Sequence, residues 1–114
     1  MTAGRRALGA RGEALTARWY EARGYRVLDR NWRCREGELD LVLAKGRTVV
    51  FCEVKTRSSN AYGTPAEAVT HTKQRRIRVL ALRWLEAHDM RGVGLRFDVA
   101  GVVAGQVDVI EAAF

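Results

Sequence analysis

Two apolar runs that flank a Lys-Gly pair constrain the fold of this chain more than any other stretch. The first run covers residues 38–44 and the second covers residues 47–56, and each has the length of a β-strand. Gly46 lies between them and can adopt the positive φ angle that a tight turn demands. The pattern predicts an antiparallel β-hairpin in which Lys45 and Gly46 are the two turn residues.

Each run carries acidic side chains at the end that lies away from the turn. A charge in a segment that otherwise favours burial is costly unless something compensates it, and such conflicts are typical of functional sites. In the predicted hairpin, Asp40 lies opposite Phe51 and Glu38 lies opposite Glu53. Because side chains alternate along a strand, one face then collects four charged residues: Glu38, Asp40, Glu53 and Lys55.

Two carboxylates in this arrangement could bind one divalent cation. Asp40 and Glu53 would be diagonal neighbours, within about 8 Å of each other. Mg²⁺ typically takes one or two carboxylates and retains waters, and a bound metal lowers the pKa of its water. Lys55 could steady a phosphate or orient a water, which suits the hydrolysis of a phosphodiester. The pattern is equally compatible with strand ends whose acids pair with Lys and Arg at the surface.

The excess of basic residues favours a polyanionic partner. Lys and Arg number 20 against 13 acids, which gives a formal net charge of +7 and an isoelectric point near 10.2. DNA, RNA and an anionic membrane surface are the candidates for such a partner. Ordinary charge patterning is the alternative, since many basic proteins bind none of these.

Other features favour a cytoplasmic protein that does not enter a membrane. No apolar run approaches the roughly 20 residues of a membrane span. No apolar segment follows Arg5 and Arg6, so a secretory signal is not expected. Cys34 and Cys52 have neither CxxC spacing nor paired histidines, so neither a zinc site nor a disulfide is expected. Free thiols are typical of the cytosol.

Residues 6–23 are rich in Ala, Leu, Arg and Glu, which are strong helix formers. They predict a first helix that follows a loose arm of residues 1–5 and ends at Gly24. Gly12 inside this helix indicates close packing or a break, and Glu13 lies beside the apolar stripe. That predicted stripe consists of Leu8, Leu15, Trp19 and Ala22.

A capping box marks a second helix at Thr64-Pro65-Ala66-Glu67. The helix is predicted to start at residue 65, and it either runs to about residue 89 or breaks near residues 70–72 and restarts. Basic residues cluster along it, and they form either a solvated face or a set of phosphate contacts. Lys73 and Arg76 are the candidates for such contacts.

The remaining segments complete an α/β pattern. Residues 25–32, 94–103 and 106–111 are predicted strands, and residues 31–37 are predicted to form a loop. The element order is therefore α-β-β-β-α-β-β in one domain of residues 1–114. We expect an α/β sandwich in which helices flank a mixed central sheet of about five strands.

The two central strands carry motifs that resemble those of a known group of proteins. Asp40, followed in the next strand by Glu53-Val54-Lys55, resembles the D…(E/D)xK signature of the restriction-endonuclease-like superfamily. The chain as a whole resembles the YraN-like family of small bacterial proteins, predicted endonucleases related to archaeal Holliday junction resolvases. The segments that carry this closer resemblance are Gly37-Glu38-Leu39-Asp40-Leu41 and Phe51-Cys52-Glu53-Val54-Lys55-Thr56-Arg57.

The resemblance implies a Mg²⁺- or Mn²⁺-dependent endonuclease that acts on DNA, with branched or structured DNA as one candidate substrate. Lys55 would be the catalytic lysine, and Glu38, which the signature does not require, would have a supporting role. The implied metal ligands are three carboxylates and one backbone carbonyl, those of Glu13, Asp40, Glu53 and Val54.

The same resemblance implies that Arg57 and Lys73 contact phosphates. A homodimer, as in the resolvases, would present two active sites to two strands. Two alternatives remain open from the sequence. The chain could be a catalytically silent nucleic-acid-binding module on the same fold, or a basic adaptor in a protein complex.

Overall fold

The computed structural model describes the backbone of residues 3–58, 64–65 and 68–114, and the side chains from residue 7 onward within those ranges. In this part of the chain the elements follow the predicted order α-β-β-β-α-β-β. Their bounds are α1 Ala3–Glu21, β1 Arg26–Cys34, β2 Gly37–Lys45, β3 Thr48–Arg57, α2 His71–Ala87, β4 Gly94–Val103 and β5 Gln106–Ile110.

The five strands form one mixed sheet in the order β1-β2-β3-β4-β5. Neighbouring strands are antiparallel except for β3 and β4, which are parallel. A parallel pair needs a crossover connection, and α2 lies between β3 and β4 in the chain. The predicted α/β class and mixed sheet are therefore confirmed.

The two helices cover opposite faces of the sheet. Ala17 and Tyr20 of α1 pack in one cluster with Leu41, Leu43 and Val50. A second cluster joins the α2 residues Ile77, Leu80, Ala81, Trp84 and Leu85 to Leu39, Val42, Val49 and Phe51. Cys52 is buried in the first cluster, as its position in the strand alternation predicted.

The face of α1 that packs on the sheet matches the predicted apolar stripe only at Trp19, which packs partly buried against the first cluster. Leu8 of that stripe is 39% exposed. Thr16 Oγ1 donates to the Gly12 carbonyl at 2.8 Å. This hydrogen bond pairs a buried hydroxyl that would otherwise have no partner. The small glycine lets the helix lie close to the strands. From residue 7 onward, where side chains are described, the buried residues of α1 are Gly12, Thr16, Ala17 and Tyr20.

The turn of the central hairpin differs from the prediction by one residue. Lys45 pairs with Thr48, so Gly46 and Arg47 form the turn. Gly46 has φ +60°, the positive angle that the sequence pattern required of it. Phe51 therefore lies opposite Val42, and the predicted pairing of Phe51 with Asp40 was wrong. The predicted pairing of Glu38 with Glu53 was wrong for the same reason.

Strand β1 extends through most of the predicted loop at residues 31–37. Its pairing with β2 continues to Cys34 opposite Gly37. Trp32 packs partly buried against the cluster beneath α2, and this burial favours extended backbone over a polar loop.

Helix α2 begins at His71, in agreement with a break near residues 70–72. Thr70 has extended backbone, with φ −68° and ψ 165°, and its side chain accepts a hydrogen bond from Lys73 N at 3.3 Å. Residues 66–67 of the predicted capping box lie outside the described residues. Helix α1 starts at Ala3, within the predicted loose arm. No helix among the described residues has both the length and the apolarity to cross a bilayer. A single domain and a cytoplasmic location stay predictions.

Candidate functional site

The site lies where strands β2 and β3 part. Their regular pairing runs from the turn to Leu41 opposite Cys52 and ends there. Leu39 packs beneath α2 whereas Leu41 packs beneath α1, so the alternation of β2 is broken at Asp40 between them. Asp40 Oδ2 accepts a hydrogen bond from Val54 N at 2.8 Å. A carboxylate thus takes the place of a backbone carbonyl in the ladder, and it does so at the residue that the sequence marked as unusual.

Burial, together with the other acids, raises the proton affinity of Asp40. Burial and the neighbouring charge of Glu53 raise the pKa of Asp40 to about 8, and Glu13 adds to this effect. The hydrogen bond from Val54 N and the charge of Lys55 act in the opposite direction but do not prevail. Asp40 and Glu53 each lie just beyond the last regular pair of the ladder, Leu41 and Cys52, so they lie next to each other where the strands part and not as diagonal neighbours in a regular ladder.

Lys55 forms an ion pair within the site. Its Nζ lies 3.4 Å from Glu53 Oε1, and the two side chains are 24% and 19% exposed. Alternation along β3 directs both side chains toward the face of the sheet that α2 covers, because Phe51 faces α2 and Cys52 faces α1. The predicted neighbourhood of Glu53 and Lys55 is therefore present in the structure.

Glu13 reaches the site from α1, on the other face of the sheet. Gly12 makes this possible, because a Cβ atom on it would overlap the side chain of Thr56 in β3. Burial is the largest effect on Glu13 and raises its pKa, and the charges of Glu38 and Glu53 act in the same direction. The structure thus places the helix-borne acid within electrostatic range of the strand acids.

Glu38 has partners other than those predicted. Its Oε2 lies 2.9 Å from Arg33 Nε, across the β1–β2 ladder. The side-chain amide of Asn31 is oriented with Nδ2 toward the acids, because only then do both its nitrogen and its oxygen have suitable hydrogen-bond partners. Nδ2 lies 3.0 Å from Glu38 Oε1 and 3.2 Å from each carboxylate oxygen of Glu13. Sequence reasoning assigned no role to Asn31. Asn31 is one of the positions that carry the family resemblance, but its place at the end of a predicted strand gave no signal of this contact.

A cleft of mixed charge lies beneath α2, and two acidic and two basic side chains line it. Its volume is about 160 Å³, and Lys73 and Arg76 line it together with Glu38 and Glu53. Gly37, at φ +146°, also lines it, and a Cβ atom there would lie 3.7 Å from Arg76 Cδ. Two predicted phosphate contacts therefore lie beside the predicted metal ligands.

Arg57 lines a different cleft. That cleft has a volume of about 270 Å³ and is bordered by α1 residues, among them Arg11 and Gly12, as well as by Thr56. The structure thus separates Arg57 from Lys73 and Arg76, which the sequence grouped as phosphate contacts.

The donor set suits a cation that needs few protein ligands. Among the described residues, no three His, Cys, Asp or Glu side chains lie together in a group that could hold a metal ion. Mg²⁺ is typically held by one or two carboxylates and completes its shell with waters and substrate phosphates. Asp40 and Glu53 provide such a pair, and their mutual repulsion is the feature that a divalent cation would relieve.

The fold and this site define a class of α/β protein in which carboxylates and a lysine gather where two central strands part. Within that class, the chain belongs to the family described as Uncharacterised protein family UPF0102, whose model matches residues 12–102. The match includes every acid of the site and Lys55, and it agrees with the family resemblance seen in the sequence.

Relatives in several bacteria are similar over most of their length. A UPF0102 protein of Rhodococcus opacus is 50% identical over 113 residues, which cover 95% of this chain and 96% of that protein. One from Beutenbergia cavernae is 56% identical over 97 residues, covering 85% and 82%. One from Frankia casuarinae is 58% identical over 93 residues, covering 82% and 79%.

Proposed function

We propose that this protein is a metal-dependent endonuclease of the restriction-endonuclease-like superfamily, related to archaeal Holliday junction resolvases, and that it hydrolyses phosphodiesters of branched or structured DNA. One observation carries the proposal. The carboxyl of Asp40, whose pKa is raised to about 8, lies at the parting of two strands among other acids and next to a lysine. Strongly perturbed carboxyls in a cleft are typical of catalytic sites.

The proposed ligands of the cation, Mg²⁺ or Mn²⁺, are Asp40 and Glu53, with Glu13 and the carbonyl of Val54 as further candidates. A divalent cation in such a site supplies a water of lowered pKa and neutralises charge that develops on the phosphate. Asp40 is fixed for this role by its hydrogen bond to Val54 N. That bond uses one carboxylate oxygen and leaves Oδ1 for a cation.

The basic side chains would hold the substrate. Lys55 lies 3.4 Å from Glu53 and can donate to a phosphate oxygen or orient a water. Lys73 and Arg76 line the adjoining cleft, so a phosphate next to the scissile one would lie between them and the acids. The formal net charge of +7 favours the approach of a polyanion. A homodimer would allow both strands of a branched substrate to be cut.

A cleavage assay tests the proposal directly. The substrates are duplex, single-stranded, flap and four-way DNA, each incubated with Mg²⁺, with Mn²⁺ and with a chelator. We expect metal-dependent cleavage that falls by at least about 100-fold in Lys55→Ala, because the variant loses a charged donor at the reacting phosphate. Lys45→Ala, at the far end of the same hairpin, is the matched control and should cut like the wild type.

Equal cleavage by Lys55→Ala and wild type would overturn the assignment of the site. Cleavage that persists in the chelator would overturn the metal dependence. An absence of cleavage with every metal and substrate would overturn the proposed enzyme.

A nucleic-acid-binding module without turnover is the second candidate. The absence of such a group of three metal-binding side chains among the described residues, and the pairing of Glu53 with Lys55, favour it. Such a module would bind DNA with strong salt dependence and cut nothing. Arg76→Ala should then lower the slope of log affinity against log salt by about 1. The control is Arg91→Ala, which should leave the slope unchanged, because the Arg91 side chain lies beyond the other end of α2 and is 90% exposed.

An adaptor in a protein complex is the third candidate. Val79 and Leu82 are 41% and 53% exposed on α2, and they would form the apolar contact that such a role requires. A DNA-binding measurement at low salt separates the binding module from the adaptor, because only the module is expected to bind DNA.

A further inference from the structure

Asn31 adopts a backbone conformation that is costly in a strand. Its φ angle is +50°, in the left-handed region. Three other non-glycine residues of the described chain have positive φ, and all three lie in turns. Asn31 lies inside β1, between Arg30 opposite Leu41 and Trp32 opposite Leu39. It is therefore level with Asp40, where β2 is also irregular. Strain of this kind persists only where surrounding contacts maintain it.

The side chain of Asn31 supplies those contacts. Its Nδ2 lies 3.2 Å from both carboxylate oxygens of Glu13 and 3.0 Å from Glu38 Oε1. One amide thus joins helix α1 to the β1–β2 ladder at the edge of the acidic cluster. Arg33 anchors Glu38 from the other side at 2.9 Å. Glu13 has no such second anchor among the contacts that the structure describes.

The donor that Asn31 provides to the two carboxylates is electrically neutral. Glu13 and Glu38 repel each other, and the amide of Asn31 is a donor that the two carboxylates share. A lysine or arginine in the place of Asn31 could hold both acids but would also neutralise half of their charge. An amide holds them through hydrogen bonds and leaves the negative charge available to a cation.

We infer that Asn31 is a positioning residue, which holds the carboxylate of Glu13 beside Asp40 and Glu53. The part of this inference that concerns metal binding rests on the proposed function. Groups that hold metal ligands in place from outside typically change metal affinity about 10- to 100-fold when they are removed. The contact itself exists independently of any metal.

The first experiment tests the contact in metal-free protein. The side-chain amide signals of Asn31 are assigned by ¹H–¹⁵N NMR in wild type, Glu13→Gln and Glu38→Gln. We expect two well-separated proton shifts in wild type and a change of both in Glu13→Gln. The inference would be overturned if the side-chain amide signals of Asn31 lay at random-coil positions in wild type and did not shift in Glu13→Gln.

The second experiment measures Mn²⁺ affinity by calorimetry. Asn31→Gly keeps the left-handed backbone accessible and removes only the amide, so it should fold as the wild type does. We expect it to bind Mn²⁺ about 10-fold more weakly. In the Glu13→Gln background the same substitution should have no further effect, because its target is already absent. Asp89→Gly, at another left-handed position with φ +49°, is the matched control and should bind as the wild type does.

Full Mn²⁺ affinity in Asn31→Gly, or an equal loss in the Glu13→Gln background, would overturn the positioning role. If wild type binds no Mn²⁺ while the NMR contact is present, the metal dependence of the proposed function fails and the contact with Glu13 is upheld.

Discussion

Two aspartates of the same sheet lie in opposite electrostatic surroundings. Asp98 in β4 is fully buried, and its carboxylate accepts from Arg96 Nε at 2.9 Å, from Arg96 Nη2 at 2.8 Å, from Tyr20 Oη at 2.6 Å and from Ala112 N at 3.0 Å. Asp40 in β2 accepts from Val54 N. Its nearest charged neighbours include the acids Glu53 and Glu13.

The difference separates a structural carboxylate from a candidate functional one. Asp98 is compensated by one cation, Arg96, and by two neutral donors, and it links α1, β4 and the segment after β5. Asp40 is compensated by one backbone N–H and by Lys55, which also pairs with Glu53. A buried charge that its protein leaves short of compensation marks a place where a cation would bind.

The largest effect on stability should follow from breaking the compensated site. Asp98→Asn leaves Arg96 with a neutral partner in a place that is mostly shielded from solvent, and we expect a loss of about 3 kcal/mol in the free energy of unfolding. Urea denaturation at pH 7 measures it. A loss under about 1 kcal/mol would place the pair among weak surface salt bridges and erase the contrast with Asp40.

At Asp40, which has less compensation than Asp98, replacing the aspartate should raise the free energy of unfolding instead of lowering it. Because the pKa of Asp40 is raised to about 8 in the folded protein and is about 3.9 when unfolded, the folded state retains a proton that the unfolded state releases. Stability should therefore fall as pH rises from about 4 to about 8. Asp40→Asn keeps an acceptor for Val54 N and cannot ionise, so it should be more stable than wild type at pH 8 by about 2 kcal/mol.

Denaturation curves of metal-free protein at pH 5 and pH 8 check this prediction. The gain from Asp40→Asn should be small at pH 5 and larger at pH 8. A variant that is less stable than wild type at pH 8 would show that the charge of Asp40 is compensated after all.

A smaller effect should come from the approach of α1. Gly12→Ala would place a methyl group against the side chain of Thr56, and we expect a loss of about 1–2 kcal/mol as the helix moves outward. Gly9→Ala is the matched control, because no atom lies within 4 Å of the added Cβ. That variant should gain about 0.5–1 kcal/mol from helix propensity. Thermal unfolding of both variants compares them, and equal stability would show that close packing at Gly12 does not set the position of Glu13.

Much of the sheet could be predicted because a register error of two residues leaves each side chain on the same face of its strand. The turn was placed one residue early, which moves every cross-strand partner by two positions and so returns each side chain to the same face. Glu53 and Lys55 were grouped correctly because they lie two residues apart in β3, although the cross-strand partner predicted for Glu53 was wrong. Cys52 was placed on the buried face by the same alternation.

The remaining features depend on tertiary contacts that the sequence pattern does not encode. The buried stripe of α1 contains Thr16 and Tyr20, whose polar groups find partners in Gly12 and in Asp98 far along the chain. Alternation assumes a regular ladder, so it could not show that β2 leaves β3 at Asp40. The left-handed backbone of Asn31 follows from this irregularity and from two acids on other elements.

Calorimetric titration with Mn²⁺ at pH 8 tests most directly whether the acids around Asp40 form a cation site. Wild type, Asp40→Asn and the exposed-acid control Asp89→Asn are compared in the absence of DNA. The account predicts one weak site per chain in wild type and in Asp89→Asn, and its loss in Asp40→Asn. Equal binding by wild type and Asp40→Asn, or no binding by wild type, would contradict it.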